Sequence, residues 1–332
     1  MLDKKYFLVT LLFFKYFILL RIIPDLEITR YVAFFEQCIN FKTCINPYSN
    51  IDLLEKQYLT FPYSNFMYFV LLPFYFIANF LNFSFVNLSY LFFEILLIFI
   101  LRKLFNISFG NLYLILVLNP VIIYSIGILG QLDFIPLTFF IVSLYYLKNK
   151  EKYYSIFFLI LSLTTKIVFL ILLPIVVLYF LKIDQTREEN RNTIFYTLIV
   201  GTLFNFQLLI DKAYSKTVFF GINRGYDVVS DSSNLFSNNL LFIMLFLSFT
   251  FFMFWRNIHR LDFVGVCIFT SFMTLPIYIT NLSNIGWVLW SFPSFVILFY
   301  SYEYKTKTLI ILFFSILVIA NEENEFVSIS ND

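Results

Sequence analysis

Charge is scarce in this sequence. Of its 332 residues only 13% are Asp, Glu, Lys or Arg, and the chain has one histidine, three cysteines and eight glycines. Soluble domains carry roughly 25% charged and 45–50% apolar residues. Here 60% of residues are hydrophobic and the mean hydropathy is +0.83, which excludes a soluble globular domain. A net charge of +2 excludes the basic footprint of a nucleic-acid partner. His259 lies in a basic loop, and no Cys/His set has metal-ligand spacing. The phosphate-binding glycine loop, H-E-x-x-H and the nucleophile elbow are all missing.

What the chain has instead is apolar runs of about 15 to 20 residues, recurring from Tyr6 to Ala320. Backbone amides in hydrocarbon must be satisfied within the chain, which leaves helices or a closed barrel. Runs such as 240–254 (LLFIMLFLSFTFFMF) are apolar on every side and lack the alternation of barrel strands. The sequence therefore predicts an all-α, polytopic transmembrane bundle. No A-x-A-like site follows the first run, so it reads as a retained helix rather than a signal peptide. The many Phe and Tyr (48 and 23), with Ile, Asn and Lys, read as coding bias. That bias and the lack of long loops point to a bacterium and its cytoplasmic membrane.

Cytoplasmic loops collect Lys and Arg. Placing the basic clusters at 4–5, 102–103, 148–152, 182–192, 255–260 and 302–307 inside gives one consistent path of about eleven crossings. Helix one (about 6–23) runs outward into a first outer loop, 24–64. An interfacial segment follows near 66–82, broken around Pro73, and then a crossing near 86–101. Further helices are expected near 111–128, 134–147, 153–164, 167–181, 193–210, 238–254, 262–280, 287–300 and 308–320. No repeat or soluble domain appears, and the chain reads as one membrane unit. Carboxylates gather in the outer loops, so any chemistry belongs on the outer face.

The stretch 21–31, RIIPDLEITRY, concentrates the candidates. Asp25 is either a helix-end charge or a general base acting on a hydroxyl in a poorly solvated cavity. Glu27 competes for that role. Arg21 either pairs with Asp25 or binds phosphate, and Tyr31 is close enough to shape the pocket. Cys38 and Cys44, with five residues between them on the oxidising side, suggest a local disulfide. In NPVIIYSIGILGQLDF (119–134), Asn119-Pro120 interrupts a helix, and Gln131 and Asp133 either start the next helix or hold a polar ligand. Lys166, between two short apolar segments, either snorkels or neutralises a lipid phosphate. Arg224, whose guanidinium matches phosphate oxygens, and Tyr226 beside it are binding candidates in a later outer loop, 211–237. Glu94, within an apolar run, requires a partner that the sequence does not identify.

In chain order, DLEITRY, NPYS, FPYS, Asn-Pro with GQLD, and a Lys between short helices resemble the GT-C superfamily of membrane glycosyltransferases. The likeness covers about residues 1–181 and is nearest to the branch using polyprenyl-phosphate sugars, often mannosyltransferases. FPYS carries one Pro where two are usual, and D-x-E replaces adjacent acids. The resemblance implies transfer of a hexose from a polyprenyl-phosphate donor to a lipid-linked or surface glycan, with inversion, at the outer face. Asp25 would be the base, with Glu27 as its alternative. Lys166 and Arg224 would stabilise the leaving phosphate, and Gln131 and Asp133 would hold hydroxyls. No cofactor is implied, and no divalent-cation site is evident in the sequence. The rival readings are a lipid-linked oligosaccharide flippase, which should show inverted repeats, an O-antigen-type polymerase, and a non-catalytic assembly subunit.

Overall fold

A computed structural model describes residues 4–40, 63–112, 116–183, 186–210, 233–279, 292–293 and 296–297. The fold is all-α, with no strand among the described residues. Its main helices are α1 (Lys4–Leu19), α2 (Val32–Asn40), α3 (Asn65–Leu81), α4 (Phe85–Phe105) and α5 (Phe134–Lys148), followed by α6 (Lys152–Thr165), α7 (Leu173–Ile183), α8 (Arg187–Ile210), α9 (Ser233–Asn257) and α10 (Phe263–Ile279).

The centre is α5, which packs between α4 and α6. It is apolar all round, as a fully enclosed helix must be, and eleven of its fifteen residues are buried. Around it, α3 lies on α4, α8 lies on α6, and α9 pairs with α10. Small polar side chains set the helix ends. Ser64 accepts from the Met67 amide to start α3, and Ser84 accepts from the Asn87 amide at 3.0 Å to start α4. Asn82 and Asn106 close these helices in the left-handed conformation, at φ 54° and 53°.

Three segments depart from expectation. Residues expected as outer loop instead continue from Asp25 as helix to Asn40, with a π-turn over Glu27–Tyr31. There the Val32 N–H donates to the Glu27 carbonyl, one residue further back than in an α-helix. No break occurs at Pro73, because α3 carries the proline inside a continuous helix. One missing N–H is tolerated in a helix packed against its neighbours. The expected span near 111–128 is not one helix. Asn119 caps a new start, accepting from the Val121 amide at 3.0 Å, and Pro120 takes the first helical position. A second π segment, Ile123–Ile128, follows. The spans expected near 287–300 and 308–320 lie largely or wholly outside the described residues.

Large apolar side chains cover much of the outside: Phe80 is 87% exposed, Leu203 71% and Phe13 65%. One described helix, Phe85–Phe105, is long and apolar enough to cross a membrane, and five shorter apolar helices accompany it.

Candidate functional site

The candidate residues of the first half gather at one end of the bundle, where α1 ends and α4 and α5 begin. Backbone and amide contacts lock this end together. The Ser84 amide donates to the Leu20 carbonyl at 3.0 Å, and the Leu26 amide to the Leu129 carbonyl at 3.1 Å. The Asn87 carboxamide donates to the carbonyls of Leu19, Ile22 and Gly127. Gly130 is required where the chain crosses Pro24. It has φ +81°, and a Cβ there would lie 2.8 Å from the proline Cβ.

On this frame the two acids of DLE take different positions. Asp25, at the first position of its helix, is exposed. Glu27 is buried, with 3% of its surface exposed. Its carboxylate accepts from the Ser84 hydroxyl and from the Phe85 and Val86 amides, both at 3.1 Å, so it anchors the N-terminus of α4. Burial pushes the Glu27 carboxyl up to about 7, against the opposing pull of these hydrogen bonds. Ser84, which links Glu27 to the helix start, drew no attention in the sequence. Its local signal is a Ser three residues before Asn87 at the head of an apolar run.

Asp133 stands at the N-terminal boundary of α5, but its side chain makes no capping bond there. It forms an ion pair with Lys166 instead. Lys166 breaks the helix, with extended backbone (φ −147°, ψ 110°) between α6 and a 3₁₀ segment, Ile167–Leu172. Its side chain keeps 13% exposure against 2% for that of Asp133, so the lysine is the member of the pair that reaches solvent. The Lys166 ammonium lies 5.7 Å from the ring centre of Tyr63. Tyr63 meets Tyr31 edge-on at 6.4 Å between ring centres, and their hydroxyls are hydrogen-bonded. Burial, with the negative charge of Asp133 nearby, holds the Tyr63 phenol well above its ordinary range. Tyr63 belongs to the FPYS turn, whose motif was visible while the role of its tyrosine was not.

Tyr31, Asp133 and Lys166 thus converge, with Tyr63 between them. Gln131, two residues before Asp133, is buried, and its side-chain oxygen has no hydrogen-bond partner among the described residues. Arg21, exposed two residues past the end of α1, sits apart, its guanidinium 4.6 Å from the ring centre of Phe17. Arg224, Tyr226 and Cys44 lie outside the described residues, so the expected Cys38–Cys44 disulfide does too. Among the described residues, no three His, Cys, Asp or Glu side chains are grouped to hold a metal ion.

A second polar group links α1 to α4, and it supplies the partner of Glu94. The Lys15 ammonium donates to Glu94 Oε1 at 2.8 Å, to Oε2 at 3.0 Å and to the Tyr90 hydroxyl at 2.6 Å. The Tyr16 hydroxyl donates to Glu94 Oε2 at 2.6 Å. Lys15 was not singled out from the sequence. A cation inside the first apolar run, opposite an acid inside a later one, was its signal.

Chemically, this end combines an exposed carboxylate, a lysine fixed by a buried acid, two coupled tyrosines and a buried amide oxygen with no partner among the described residues. Such a set can accept a proton at Asp25, hold hydroxyls at Gln131 and Tyr31, and face an anion with Lys166. No protein-family model, curated protein or solved structure matches this chain.

Proposed function

We propose that the chain is a polytopic membrane glycosyltransferase of GT-C type. It moves a hexose from a polyprenyl-phosphate donor to a lipid-linked or surface glycan, on the outer face of a bacterial cytoplasmic membrane. The reading is carried by one observation: Asp133, Lys166, Tyr63 and Tyr31 meet at the end of the bundle that also presents Asp25. The apolar outer surface of α1, α3, α4 and α8 supports the membrane setting. So does the gathering of Lys148, Arg102 and Lys103 at the opposite end, as expected of a cytoplasmic side.

Asp25 takes the proton of the acceptor hydroxyl. The acceptor oxygen attacks the anomeric carbon from the face opposite the phosphate, the bond from that carbon to the phosphate oxygen breaks, and configuration inverts. The electron pair leaves with the lipid phosphate, where Lys166 faces the growing charge. Asp133 fixes the lysine, and Gln131 holds a sugar or acceptor hydroxyl. Glu27, engaged with the start of α4, supports the site rather than reacting in it.

The test is transfer of a radiolabelled hexose from a panel of polyprenyl-phosphate sugars to lipid acceptors by purified protein. Wild type transfers label; Asp25→Asn, melting at the same temperature, loses at least a hundredfold, as removal of a general base does. Equal transfer by both proteins removes Asp25 from the mechanism.

A second reading has its own observation. The buried Lys15–Glu94 pair lies between apolar helices, where ionisable groups mark ion or proton pathways. A lipid-linked oligosaccharide flippase therefore stands as the alternative. Movement of a fluorescent lipid-linked oligosaccharide across proteoliposomes, lost in Glu94→Gln and without hydrolysis or transfer, would select it.

A further inference from the structure

Away from the candidate site, a hollow of about 420 Å³ opens on the side of α8 along its first three turns. Arg187, Asn190, Arg191, Ile194, Phe195 and Leu198 line it. Five of these fall at i, i+4, i+7, i+8 and i+11, so they share one stripe of the helix. The stripe changes character along its length. Two guanidiniums one turn apart stand at its head. Below them Ile194, Phe195 and Leu198 are 45%, 64% and 62% exposed.

The head of the stripe is suited to an anion. Arg187 and Arg191 are exposed, and among the described residues no carboxylate pairs with either. The acids of the same turn are directed elsewhere. The Thr186 hydroxyl donates to Glu189 Oε2 at 3.0 Å and accepts from the Glu189 amide at 3.2 Å, which closes the start of the helix. Neither Glu188 nor Glu189 lines the hollow. The Asn190 side-chain oxygen is buried with no partner among the described residues, which leaves its amide N–H groups to face the hollow as further donors.

The foot of the stripe requires that the anion carry an apolar tail. Arginines that merely mark a cytoplasmic loop are solvated and need no apolar floor. Here the floor begins three residues after Arg191 and runs on to Leu198, about 10 Å of helix at 1.5 Å per residue. Half the hydrocarbon core of a bilayer is about 15 Å, so this floor matches the upper part of one acyl chain. On the path set by the basic loops, residues 182–192 lie on the cytoplasmic side, opposite Asp25 and Lys166.

We propose that this hollow binds an anionic phospholipid of the inner leaflet, its phosphate between Arg187 and Arg191 and an acyl chain along Ile194, Phe195 and Leu198. Guanidiniums take phosphate oxygens in pairs, and basic pockets on the cytoplasmic side are where anionic headgroups collect. A zwitterionic lipid is disfavoured, because its own cation stays beside the two arginines. The site goes beyond the glycosyltransferase reading. It needs the membrane setting but no sugar transfer and shares no residue with the Asp133–Lys166 end, so the two fail separately.

The test is native mass spectrometry of the full chain in detergent, titrated with dioleoyl phosphatidylglycerol or dioleoyl phosphatidylcholine. Phosphatidylglycerol should bind as a saturable adduct, about tenfold more tightly than phosphatidylcholine. Arg187→Gln and Arg191→Gln should each weaken it about tenfold by removing a charge-assisted contact. Phe195→Ser should weaken it about threefold by stripping the apolar floor. All three side chains are exposed, so each variant should melt as wild type in lipid-free detergent. Lys103→Gln removes the same charge from the last turn of α4, outside the hollow, and should bind as wild type. Unchanged binding in both arginine variants overturns the proposal, as does equal binding of phosphatidylcholine. Equal weakening by Lys103→Gln reduces the effect to overall charge and overturns it too. Glycerol 3-phosphate, which offers the phosphate without acyl chains, should not displace the lipid at equal concentration. Displacement would make this a place for free phosphate and overturn the lipid assignment.

Discussion

At the scale of the residue, two acids separated by one position have been given opposite environments. Asp25 faces solvent, whereas Glu27 turns inward and holds the first amides of α4. Spacing in the sequence could nominate both but not divide them, because the division depends on which carboxylate meets Ser84, far along the chain. The raised Glu27 value has a consequence for pH. A carboxyl at about 7 when folded, against an ordinary 4.5, binds more protons folded than unfolded between those values. Stability therefore falls as pH rises through that window, by roughly 3 kcal/mol in total, and is flat on either side. Thermal melts of the purified protein from pH 4 to pH 8 should show the decline. Glu27→Gln, neutral throughout, should melt with much weaker pH dependence.

At the scale of the element, the apolar runs were legible and the polar pins between them were not. Hydropathy placed α4, α5 and α6 to within a few residues, and the GQLD turn and the break at Lys166 were visible from Gly, Asp and Lys in apolar surroundings. The pairing of Asp133 with Lys166, or of Lys15 with Glu94, is a fact of packing that one sequence does not carry. The Lys15–Glu94 pair makes a direct test of how α1 is held. Lys15→Met leaves Glu94 buried without its cation and should destabilise the protein by about 3–5 kcal/mol. Adding Glu94→Leu should recover most of that loss, leaving only the two tyrosine hydroxyls to find new partners. A double-mutant cycle by thermal or denaturant unfolding in detergent measures the coupling. Additive losses would mean that the pair does not hold α1 to α4.

At the scale of the whole molecule, the helices alternate so that Asp25, Asp133 and Lys166 share one end and Lys148 and Arg102 the other. On the membrane reading these ends lie on opposite sides of the bilayer. With the three native cysteines replaced by serine, Asp25→Cys should react with an impermeant maleimide added to intact cells. Lys150→Cys should react only after permeabilisation, and the reverse pattern would invert the topology. The π-turn at Glu27–Tyr31 has a different kind of consequence. It stores one residue more than an α-turn of the same rise, and each residue advances a helix by about 100°. Removing Ile28, Thr29 or Arg30 would let this turn wind as a regular α-turn over the same rise and leave Phe34 and Phe35 on the faces they now bury. This stretch is therefore freer in how many residues it has than in which they are. A single deletion closes the bulge locally, whereas a charged substitution at Phe34 or Phe35 strikes the buried face of α2 directly.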